Sequence, residues 1–348
     1  MPIAFPTFTA LASHGFDTLI DVRSPAEFAL DHIPGAINLP ALSNAERVTV
    51  GTIYKQVSAF DARKIGAVMV ARNVAAHVEG PLADHDGAWR PLVYCWRGGQ
   101  RSGSFATILQ QIGWRADTVQ GGYRTYRRLV SAALYDTPLP HRLILLDGYT
   151  GTAKTDILAR LAQRGVQVID LEGLARHRGS LLGGMPGGQP SQKWFETSLA
   201  SALASLDPTK PVVVEAESSK IGERVIPPML WQAMCAAPRL VIDAPLQARA
   251  DWLLTAYADM IADPILLKQR LFPLRAHRPG PMVDNWLALI DRGEFRALTL
   301  ALMTEHYDLA YAKSRQQHDA VRAGMVRVET LDDVGRETAS EQLARLIG

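Results

Sequence analysis

Two short segments, each an apolar strand followed by a glycine-containing loop and the start of a helix, most constrain how this chain can fold. The first is PLVYCWRGGQRS at residues 91–102, and the second is LILLDGYTGTAKT at residues 143–155. A buried strand that runs through such a loop into a helix is typical of parallel α/β sheets. The chain is therefore predicted to be an α/β protein with a functional loop at the end of each of these strands.

The first loop presents a thiol to an anion. Cys95 ends the strand, and the loop after it supplies glycine N–H groups and two arginines. Because N–H groups at a helix N-terminus favour negative charge, the thiol pKa should fall below its free value of about 8.5. We predict that Cys95, Arg97 and Arg101 are catalytic and that a helix begins near Ser102. The surrounding anion cradle is predicted to consist of Trp96, Gly98, Gly99, Gln100 and Ser102.

Length and composition indicate two domains of a soluble globular protein. A chain of 348 residues exceeds one typical core, and the proline-rich segment 137–142 suggests a division into residues 1–136 and 137–348. The net charge of +2 excludes a dedicated polyelectrolyte binder. Only two cysteines indicate a reducing compartment, and Cys235 lies among apolar residues at helical spacing. With no signal-like N-terminus and no membrane-length apolar run, we expect a cytoplasmic protein.

The first domain resembles a rhodanese domain. DVRSPAEF at residues 21–28 and HIPGAINLP at residues 32–40 carry this resemblance together with the Cys95 loop. It implies a small parallel sheet with helices and a loop cysteine that carries sulfur as a persulfide. Ser24 and Glu27 predict a capping box at the first of these helices, and Asp21 and Arg23 predict a buried ion pair at the strand end.

The spacing within the Cys95 loop also allows a second interpretation. Five residues separate Cys95 from Arg101, one more than in a minimal rhodanese loop, and this spacing resembles the phosphate cradle of Cys-dependent phosphatases. In that interpretation Cys95 attacks a phosphoryl group that Arg101 holds. A phosphatase also needs a general acid for its leaving oxygen, and the loop does not supply an obvious one.

The second loop resembles the Walker A loop of P-loop NTPases, followed by the helical segment DILARLAQRG. Lys154 would reach the terminal phosphates, and Thr155 would hold Mg²⁺ if that ion is used. Ala153 stands where the pattern has glycine, so a Cβ would cost strain if the backbone needs a positive φ. The pattern therefore does not decide whether a nucleotide binds at this loop. No metal site formed by the protein alone is predicted. The predicted phosphate-binding residues are Gly148, Thr150, Gly151, Thr152, Lys154 and Thr155.

Three further segments predict structure or ligand contact. Strands at residues 167–173, 211–218 and 239–245 should complete a second parallel sheet and end in acidic residues, including Asp170, Glu172, Glu215 and Glu217. Residues 177–196 are rich in glycine and polar residues and predict a loop that closes over a ligand. Arg124, Arg127 and Arg128, which Tyr123 and Tyr126 interleave, are the candidates for contact with RNA phosphates.

The chain as a whole resembles the tRNA 2-selenouridine synthase family, a transferase family with a rhodanese domain and a P-loop-like domain with extra helices. The resemblance rests on the two loops and on GGYRTYR (121–127), DLEGLARHRGS (170–180), QPSQKWFE (189–196), VEAESSKIG (214–222) and EHYDLAYAKS (305–314). It implies replacement of sulfur by selenium in 2-thiouridine at the tRNA wobble position, with selenophosphate as the donor. It also implies a geranylated intermediate made from geranyl diphosphate.

Two other functions remain alternatives at this point. A Cys-dependent phosphatase with an appended phosphate loop would turn over a generic aryl phosphate through Cys95. A sulfurtransferase that only carries persulfide would load Cys95 and modify no base, with its second domain as a docking or nucleotide switch.

Overall fold

The computed structural model describes residues 2–311 and 322–348, and the chain forms two compact units. Unit 1 comprises residues 1–138 and 190–205, and unit 2 comprises residues 139–189 and 206–348. The segment 190–205 lies inside the predicted second domain, yet it packs with unit 1. The last three residues of EHYDLAYAKS, 312–314, lie outside the described residues.

Unit 1 is built on a five-stranded sheet in which all neighbouring strands are parallel, with the order β1-β5-β4-β2-β3. The apolar run before Cys95 forms β4, which is buried along its whole length. The strands are β1 Pro2–Ile3, β2 Thr18–Asp21, β3 Ile37–Asn38, β4 Pro91–Tyr94 and β5 Asp117–Val119. The helices are α1 Phe8–Ala12, α2 Pro25–Leu30, α3 Asn44–Gln56, α4 Ala59–Glu79, α5 Gln100–Ile112 and α6 Gly122–Ser131, followed by a π-helical turn at Ala132–Asp136.

The end of β2 confirms the predicted local structure. Asp21 and Arg23 form a buried ion pair, 2.6 Å from Arg23 Nη2 to Asp21 Oδ2, and Arg23 also donates to the Asp31 carbonyl. At the start of α2, Ser24 and Glu27 form the predicted capping box. These contacts fix the chain just outside the carboxyl end of the sheet, on the side where the Cys95 loop follows β4.

One helix that follows the phosphate loop in sequence completes unit 1. This helix, α9 Gln192–Ala204, begins inside the segment predicted as a loop, so the prediction of a loop over residues 177–196 is wrong for its last five residues. Its N-cap is Ser191, whose hydroxyl accepts from the N–H of Trp194. Phe195 and Leu199 are fully buried, and burial of this apolar face accounts for its place in the unit 1 core.

Unit 2 contains a second five-stranded sheet of parallel neighbours, with the order β12-β11-β6-β8-β7. The structure contains a strand in each of the predicted segments 143–147, 167–173, 211–218 and 239–245, and Arg322–Arg327 forms an edge strand. The predicted bounds of the second segment are wrong, because its strand ends at Ile169 and a helix begins at Leu171, with Asp170 as its N-cap. The strands are β6 Leu143–Asp147, β7 Gln167–Ile169, β8 Val212–Glu215, β11 Arg239–Asp243 and β12 Arg322–Arg327, with a separate antiparallel pair of β9 Lys220–Ile221 and β10 Arg224–Val225.

Helices surround this sheet and extend it with a helical layer that has an apolar core of its own. That core contains the fully buried Trp286 and the buried Leu267, Leu298 and Leu302. The helices are α7 Lys154–Gln163, α8 Leu171–Ala175, α10 Pro228–Ala236, α11 Leu246–Ala256, α12 Ala258–Ile261, α13 Pro264–Leu271, α14 Gly280–Asp291, α15 Phe295–Leu302 and a C-terminal helix Asp333–Ile347. None of the helices described is both long and apolar enough to cross a membrane.

Candidate thiol and phosphate-binding sites

Cys95 lies at the mouth of a loop between β4 and α5, where only 4% of its surface is exposed. The helix begins at Gln100, with Gly99 as its N-cap, two residues before the predicted start. Gln100, Arg101 and Ser102 therefore all lie in the first helical turn. The Ser102 hydroxyl donates to Cys95 Sγ at 3.2 Å. The sulfur thus faces a helix N-terminus, which favours the thiolate.

Two glycines make the tight turn around Cys95 possible. Gly98 has φ +64°, and a Cβ there would lie 2.7 Å from the Val119 carbonyl oxygen. Gly122 has φ +57°, and a Cβ there would lie 2.2 Å from the Cys95 carbonyl oxygen. Only glycine combines this backbone conformation with such close approach. The loop after Cys95 is therefore locked against the N-terminus of α6.

Polar groups around the sulfur lower the pKa of Cys95 below the ordinary thiol value. Burial acts in the opposite direction and is the largest single influence, because it penalises the charged form. The hydrogen bonds from the Ser102 hydroxyl and N–H, the charge of Arg101 and the Arg97 N–H together outweigh it. The direction agrees with the predicted nucleophilic thiolate.

The two loop arginines differ in their surroundings. Arg97 is exposed, and its backbone N–H is the group that faces the sulfur. Arg101 is half-buried and donates from Nη1 to Glu27 Oε2 at 3.0 Å. Burial raises the pKa of Glu27, but the hydrogen bonds from Arg101, Arg47 and Ser24 outweigh it and lower the pKa to about 2. The carboxylate next to the thiol cradle is therefore an anion at neutral pH.

Trp96 extends the cradle with an aromatic wall. Its half-buried ring lies 5.2 Å from the ring of Tyr123, and Lys193 Nζ lies 6.0 Å from its centroid. Lys193 belongs to α9 and was not among the predicted site residues. The Trp96 carbonyl accepts from the Arg124 N–H at 3.0 Å, so the backbone of α6 is tied to this wall.

The three arginines predicted to contact RNA phosphates fall into two groups. Arg124 and Arg128 are exposed on α6. Arg127 is half-buried and forms ion pairs with Glu196 and Asp31, so its charge is balanced within unit 1. The interleaved Tyr123 and Tyr126 are both buried, because they lie on the inner face of the same helix. Contact with RNA phosphates therefore stays a prediction for Arg124 and Arg128 only.

The phosphate loop has the strain that its sequence predicts. Ala153, the N-cap of α7, has φ +56° and ψ +30°, a left-handed conformation that costs an L-residue about 1–2 kcal/mol. Lys154 follows it at the first position of the helix and donates from Nζ to the Gly148 carbonyl at 3.1 Å. The Lys154 ammonium and the N-terminus of α7 thus lie at one loop, as anion binding requires.

A pair of carboxylates faces the loop. The Thr155 hydroxyl donates to Glu172 Oε2 at 2.8 Å, and Glu172 is hydrogen-bonded to Glu217. Burial and the neighbouring carboxylate raise the pKa of Glu217 to about 8, although Lys154 opposes this. Burial also raises the pKa of Glu172. Glu172 and Glu217 are half-buried, whereas Asp170 is exposed, and the pair formed by Glu172 and Glu217 shares a proton near neutral pH.

A cavity of about 690 Å³ opens in front of the phosphate loop within unit 2. Its walls include Lys154, Thr155, Glu217 and Arg178 on one side and Trp231 with Cys235 on another. An apolar pocket adjoins this cavity, and five residues line both: Thr150, Ser180, Leu253, Tyr257 and Tyr307. Deeper in the helical layer the pocket is lined by Met260, Leu267, Phe295, Leu298 and Leu302.

Comparison with known proteins identifies both units. Residues 8–129 match the model of the rhodanese-like domain, and residues 141–269 match the model of the tRNA 2-selenouridine synthase AAA domain. A tRNA 2-selenouridine synthase of Cupriavidus necator is 33% identical over 335 residues, covering 87% of this chain and 89% of that protein. The chain belongs to the tRNA 2-selenouridine synthase family. The family membership predicted from the sequence is thereby confirmed.

Other members of the family are similar over a shorter stretch. The synthase of Nitrosomonas europaea is 36% identical over 258 residues, and that of Chromohalobacter salexigens is 39% identical over 248 residues. In each of these two alignments the chain spans 66% of the relative's length, and the aligned part covers 73% and 70% of this chain.

Sequence reasoning missed one basic residue at the phosphate loop of this family member. Arg249 of α11 is buried and donates from Nη1 to the Thr150 carbonyl at 3.0 Å. A bidentate pair with Asp308, at 3.0 and 2.9 Å, orients its guanidinium. Arg249 and Asp308 lie about a hundred and more residues from the loop along the chain, so no local motif signals them. Among residues 2–311 and 322–348, no three His, Cys, Asp or Glu side chains form a group suited to a metal ion.

Proposed function

We propose that this protein replaces sulfur by selenium in 2-thiouridine at the wobble position of tRNA. The selenium donor is selenophosphate, and the reaction passes through an S-geranylated base made from geranyl diphosphate. Transfer of the geranyl group forms a bond from the thiocarbonyl sulfur to C1 of the geranyl group, while the C1–O bond breaks and diphosphate leaves. The selenium atom of selenophosphate then attacks C2 of the base, and the C2–S bond breaks so that the sulfur leaves as geranyl thiolate. Hydrolysis of the Se–P bond releases phosphate and leaves 2-selenouridine.

One observation carries this proposal, namely the apolar pocket that adjoins the phosphate-loop cavity. Thr150, Leu253 and Tyr257 line both spaces, so a ligand whose anionic end lies at the loop would place its apolar end at the pocket among the helices. Geranyl diphosphate has this division of polarity. The pocket has a volume of about 60 Å³, so its side chains must move apart to admit a ten-carbon chain. Neither the hydrolysis of a phosphate ester nor the carriage of a persulfide requires an apolar pocket beside a phosphate loop.

The residues of the phosphate loop supply what a departing diphosphate needs. The N-terminus of α7 and the Lys154 ammonium stabilise negative charge that grows on the leaving oxygen. Arg249 holds the Thr150 carbonyl and so positions the loop without facing the ligand directly. We propose the same loop residues that the sequence predicts as the diphosphate site: Gly148, Thr150, Gly151, Thr152, Lys154 and Thr155.

Mg²⁺ fits the donors at this loop. Thr155 offers a hydroxyl oxygen, and Glu172 with Glu217 offers carboxylate oxygens, the ligand type that Mg²⁺ takes in proteins. A bound cation would replace the proton that the two carboxylates share. When bound, it would neutralise charge on the diphosphate.

In this proposal unit 1, which contains Cys95, binds the selenium donor. Cys95 offers a sulfur nucleophile with a lowered pKa, and Ser102, Arg97 and Arg101 surround it with donors and positive charge. Such a cradle suits a tetrahedral, phosphate-like anion such as selenophosphate. Because tRNA is a cytoplasmic substrate, we place the reaction in the cytoplasm.

For the phosphatase alternative, the carboxyl group that pairs with Arg101 does not suit the role of general acid. A general acid must carry a proton, and Glu27, the carboxyl group paired with Arg101, has a pKa of about 2. Asp31 accepts from the Tyr123 hydroxyl at 2.5 Å and forms an ion pair with Arg127, so its carboxylate already has two partners within unit 1. The persulfide-carrier alternative is consistent with the Cys95 site of unit 1. It gives no role to the phosphate loop and the apolar pocket of unit 2.

The test is mass spectrometry of wobble nucleosides after incubation of the purified protein with 2-thiouridine tRNA. Geranyl diphosphate and selenophosphate are added separately and together. We expect geranylthiouridine with the first and selenouridine with both. Lys154→Ala should abolish the first product, whereas Cys95→Ser should abolish only the second. No modified nucleoside in any reaction of the folded protein would overturn the proposal.

A further inference from the structure

We propose that the first turn of α9 in unit 1 binds the single-stranded anticodon loop of tRNA. Trp194 would stack on an unpaired base, and Lys193 would neutralise phosphate charge. The inference rests on the proposed function, because it takes tRNA as the substrate. It adds a binding element that no sequence motif of the thiol loop contains.

The placement of this turn is the first observation. Its segment follows the phosphate loop in sequence but belongs to unit 1, where Ser191 Oγ donates to the Leu30 carbonyl at 2.5 Å. Glu196 pairs with Arg127, and Thr197 accepts from the Tyr126 hydroxyl at 3.1 Å. These contacts hold the helix in place, and the side chains of its first turn are half-buried at the surface of the unit.

The aromatic groups near this turn are the second observation. The Trp194 ring stacks on His32 at 4.2 Å between centroids, and His32 in turn stacks on Phe28 at 3.8 Å. All three rings are half-buried, so each retains exposed surface. Trp96, the residue after the candidate nucleophile, is half-buried as well. Proteins that bind single-stranded RNA present exposed aromatic rings on which unpaired bases stack.

The charge around these rings is the third observation. Lys193 Nζ lies 6.0 Å from the Trp96 ring, and Arg97, Arg124 and Arg128 are exposed on the neighbouring loop and helix. The nearby acidic group Glu196 is buried and paired with Arg127, so it does not cancel this surface charge. Rings with interleaved cations match an unpaired, anionic strand better than they match a duplex or an apolar protein surface.

The experiment measures binding of a 5′-fluorescein anticodon stem–loop RNA to the full chain by anisotropy at several salt concentrations. A perfectly paired hairpin of the same length is the control ligand. Trp194→Leu should weaken stem–loop binding about tenfold, since stacking on one ring contributes about that much or more, whereas Trp194→Phe should retain most of it. Lys193→Gln should lower the slope of log K against log salt by about 1. Binding of the paired hairpin should respond much less to Trp194→Leu.

Matched control variants are available on the same unit. Phe60 and Lys55 are exposed on α4 and α3, so Phe60→Leu and Lys55→Gln should leave both ligands unaffected. The inference would be overturned if Trp194→Leu and Lys193→Gln bind the stem–loop as tightly as the wild type does and keep its melting temperature. That result would leave the proposed function standing. If Trp194→Leu does not fold, the salt dependence of Lys193→Gln and the binding affinity of Trp194→Phe test the inference.

A cross-linking experiment separates this inference from the proposed function. The stem–loop carries 4-thiouridine at the wobble position, and the irradiated complex is digested and mapped by mass spectrometry. We expect cross-links within residues 190–205 or at Trp96. Cross-links confined to other segments would overturn the inference while leaving selenouridine formation untouched. Absence of stem–loop binding by the wild-type chain would overturn the inference, whereas the proposed function is overturned only by the absence of modified nucleosides.

Discussion

The Glu27 carboxylate holds the Arg101 guanidinium at 3.0 Å while it also closes the capping box at the start of α2. One carboxylate thus joins the N-terminus of one helix to the first turn of the helix that faces Cys95. Arg101 keeps further N–H groups for a ligand, because only Nη1 contacts Glu27. The position of the cradle arginine is therefore set by a residue 74 positions earlier in the chain.

Replacement of Glu27 by glutamine should destabilise unit 1 by about 1–3 kcal/mol, the usual contribution of hydrogen bonds to charged groups. Because the pKa of Glu27 is about 2 in the folded protein against about 4.5 ordinarily, its contribution is present above pH 4.5 and lost as the pH falls towards 2. Urea unfolding at pH 7 and at pH 3 measures both effects. Glu46→Gln, which removes the capping-box carboxylate of α3 and its hydrogen bond from Asn73 but no ion pair with an arginine, should cost less. If both variants lose the same free energy of unfolding, the ion pair of Glu27 with Arg101 adds nothing to the stability of unit 1.

Ser102→Ala should slow alkylation of Cys95 by iodoacetamide at pH 7 about 2- to 12-fold, because it removes one hydrogen bond to the thiolate. Peptide-resolved mass spectrometry separates Cys95 from Cys235, whose pKa burial raises. Ser104, exposed on the same helix, provides the control variant Ser104→Ala. If alkylation of Cys95 stays at the wild-type rate in Ser102→Ala, the Ser102 hydroxyl does not stabilise the thiolate.

Ala153→Val should cost about 2–3 kcal/mol, because a β-branched side chain in the left-handed region is strained and this site is buried. Ala153→Gly should stay within about 1 kcal/mol of wild type, since relief of strain offsets the lost methyl group and the freer unfolded chain. Urea denaturation measures the changes. Ala162→Val, exposed in the same helix, should cost about 0.5 kcal/mol. Similar costs for the two valine variants would show that the backbone at Ala153 is unstrained.

Stability should fall as the pH rises from about 4.5 to 8, because Glu217 keeps its proton in the folded protein and loses it in the unfolded chain. The groups that face it are Glu172, which adds to the effect, and Lys154, which opposes it. Thermal unfolding at pH 5, 6, 7 and 8 should show this decline, with a flatter profile for Glu217→Gln. Glu223→Gln, at an exposed carboxylate, should keep the wild-type profile. Mg²⁺ should stabilise the wild type more at pH 8 than at pH 5.

Thr299→Phe should impair geranyl transfer without impairing selenium transfer. Thr299 lines the apolar pocket and is half-buried, so a larger side chain there fills space that the geranyl chain would take. We expect at least a tenfold loss of kcat/KM for geranyl diphosphate, because losing the burial of two or more CH₂ groups costs over 1.4 kcal/mol. Conversion of pre-geranylated tRNA with selenophosphate should proceed at the wild-type rate. Thr304→Phe, exposed on the next turn, is the control. Unchanged geranyl transfer in Thr299→Phe would place the geranyl chain elsewhere.

The sequence by itself determined the two strand–loop–helix units, the capping box at Ser24 and Glu27, and the buried pair of Asp21 and Arg23. It also indicated that Ala153 would be strained if the loop takes a positive φ there, and the structure has that φ. Each of these depends on residues within a few positions of one another, where backbone geometry and hydrogen bonds to neighbouring N–H groups leave little choice. The family could be recognised for the same reason, since its motifs are contiguous.

Only the tertiary structure decided which distant residues complete each site. Arg101 meets Glu27, Arg127 is balanced by Glu196 and Asp31, and Arg249 reaches the Thr150 carbonyl. The tertiary structure also shows that α9 belongs to unit 1 and which helices line the apolar pocket. Such pairings depend on how buried faces pack against one another, and apolar surface can be buried against many partners. Local sequence therefore shows that a face will be buried, whereas the complete packed chain determines its neighbour.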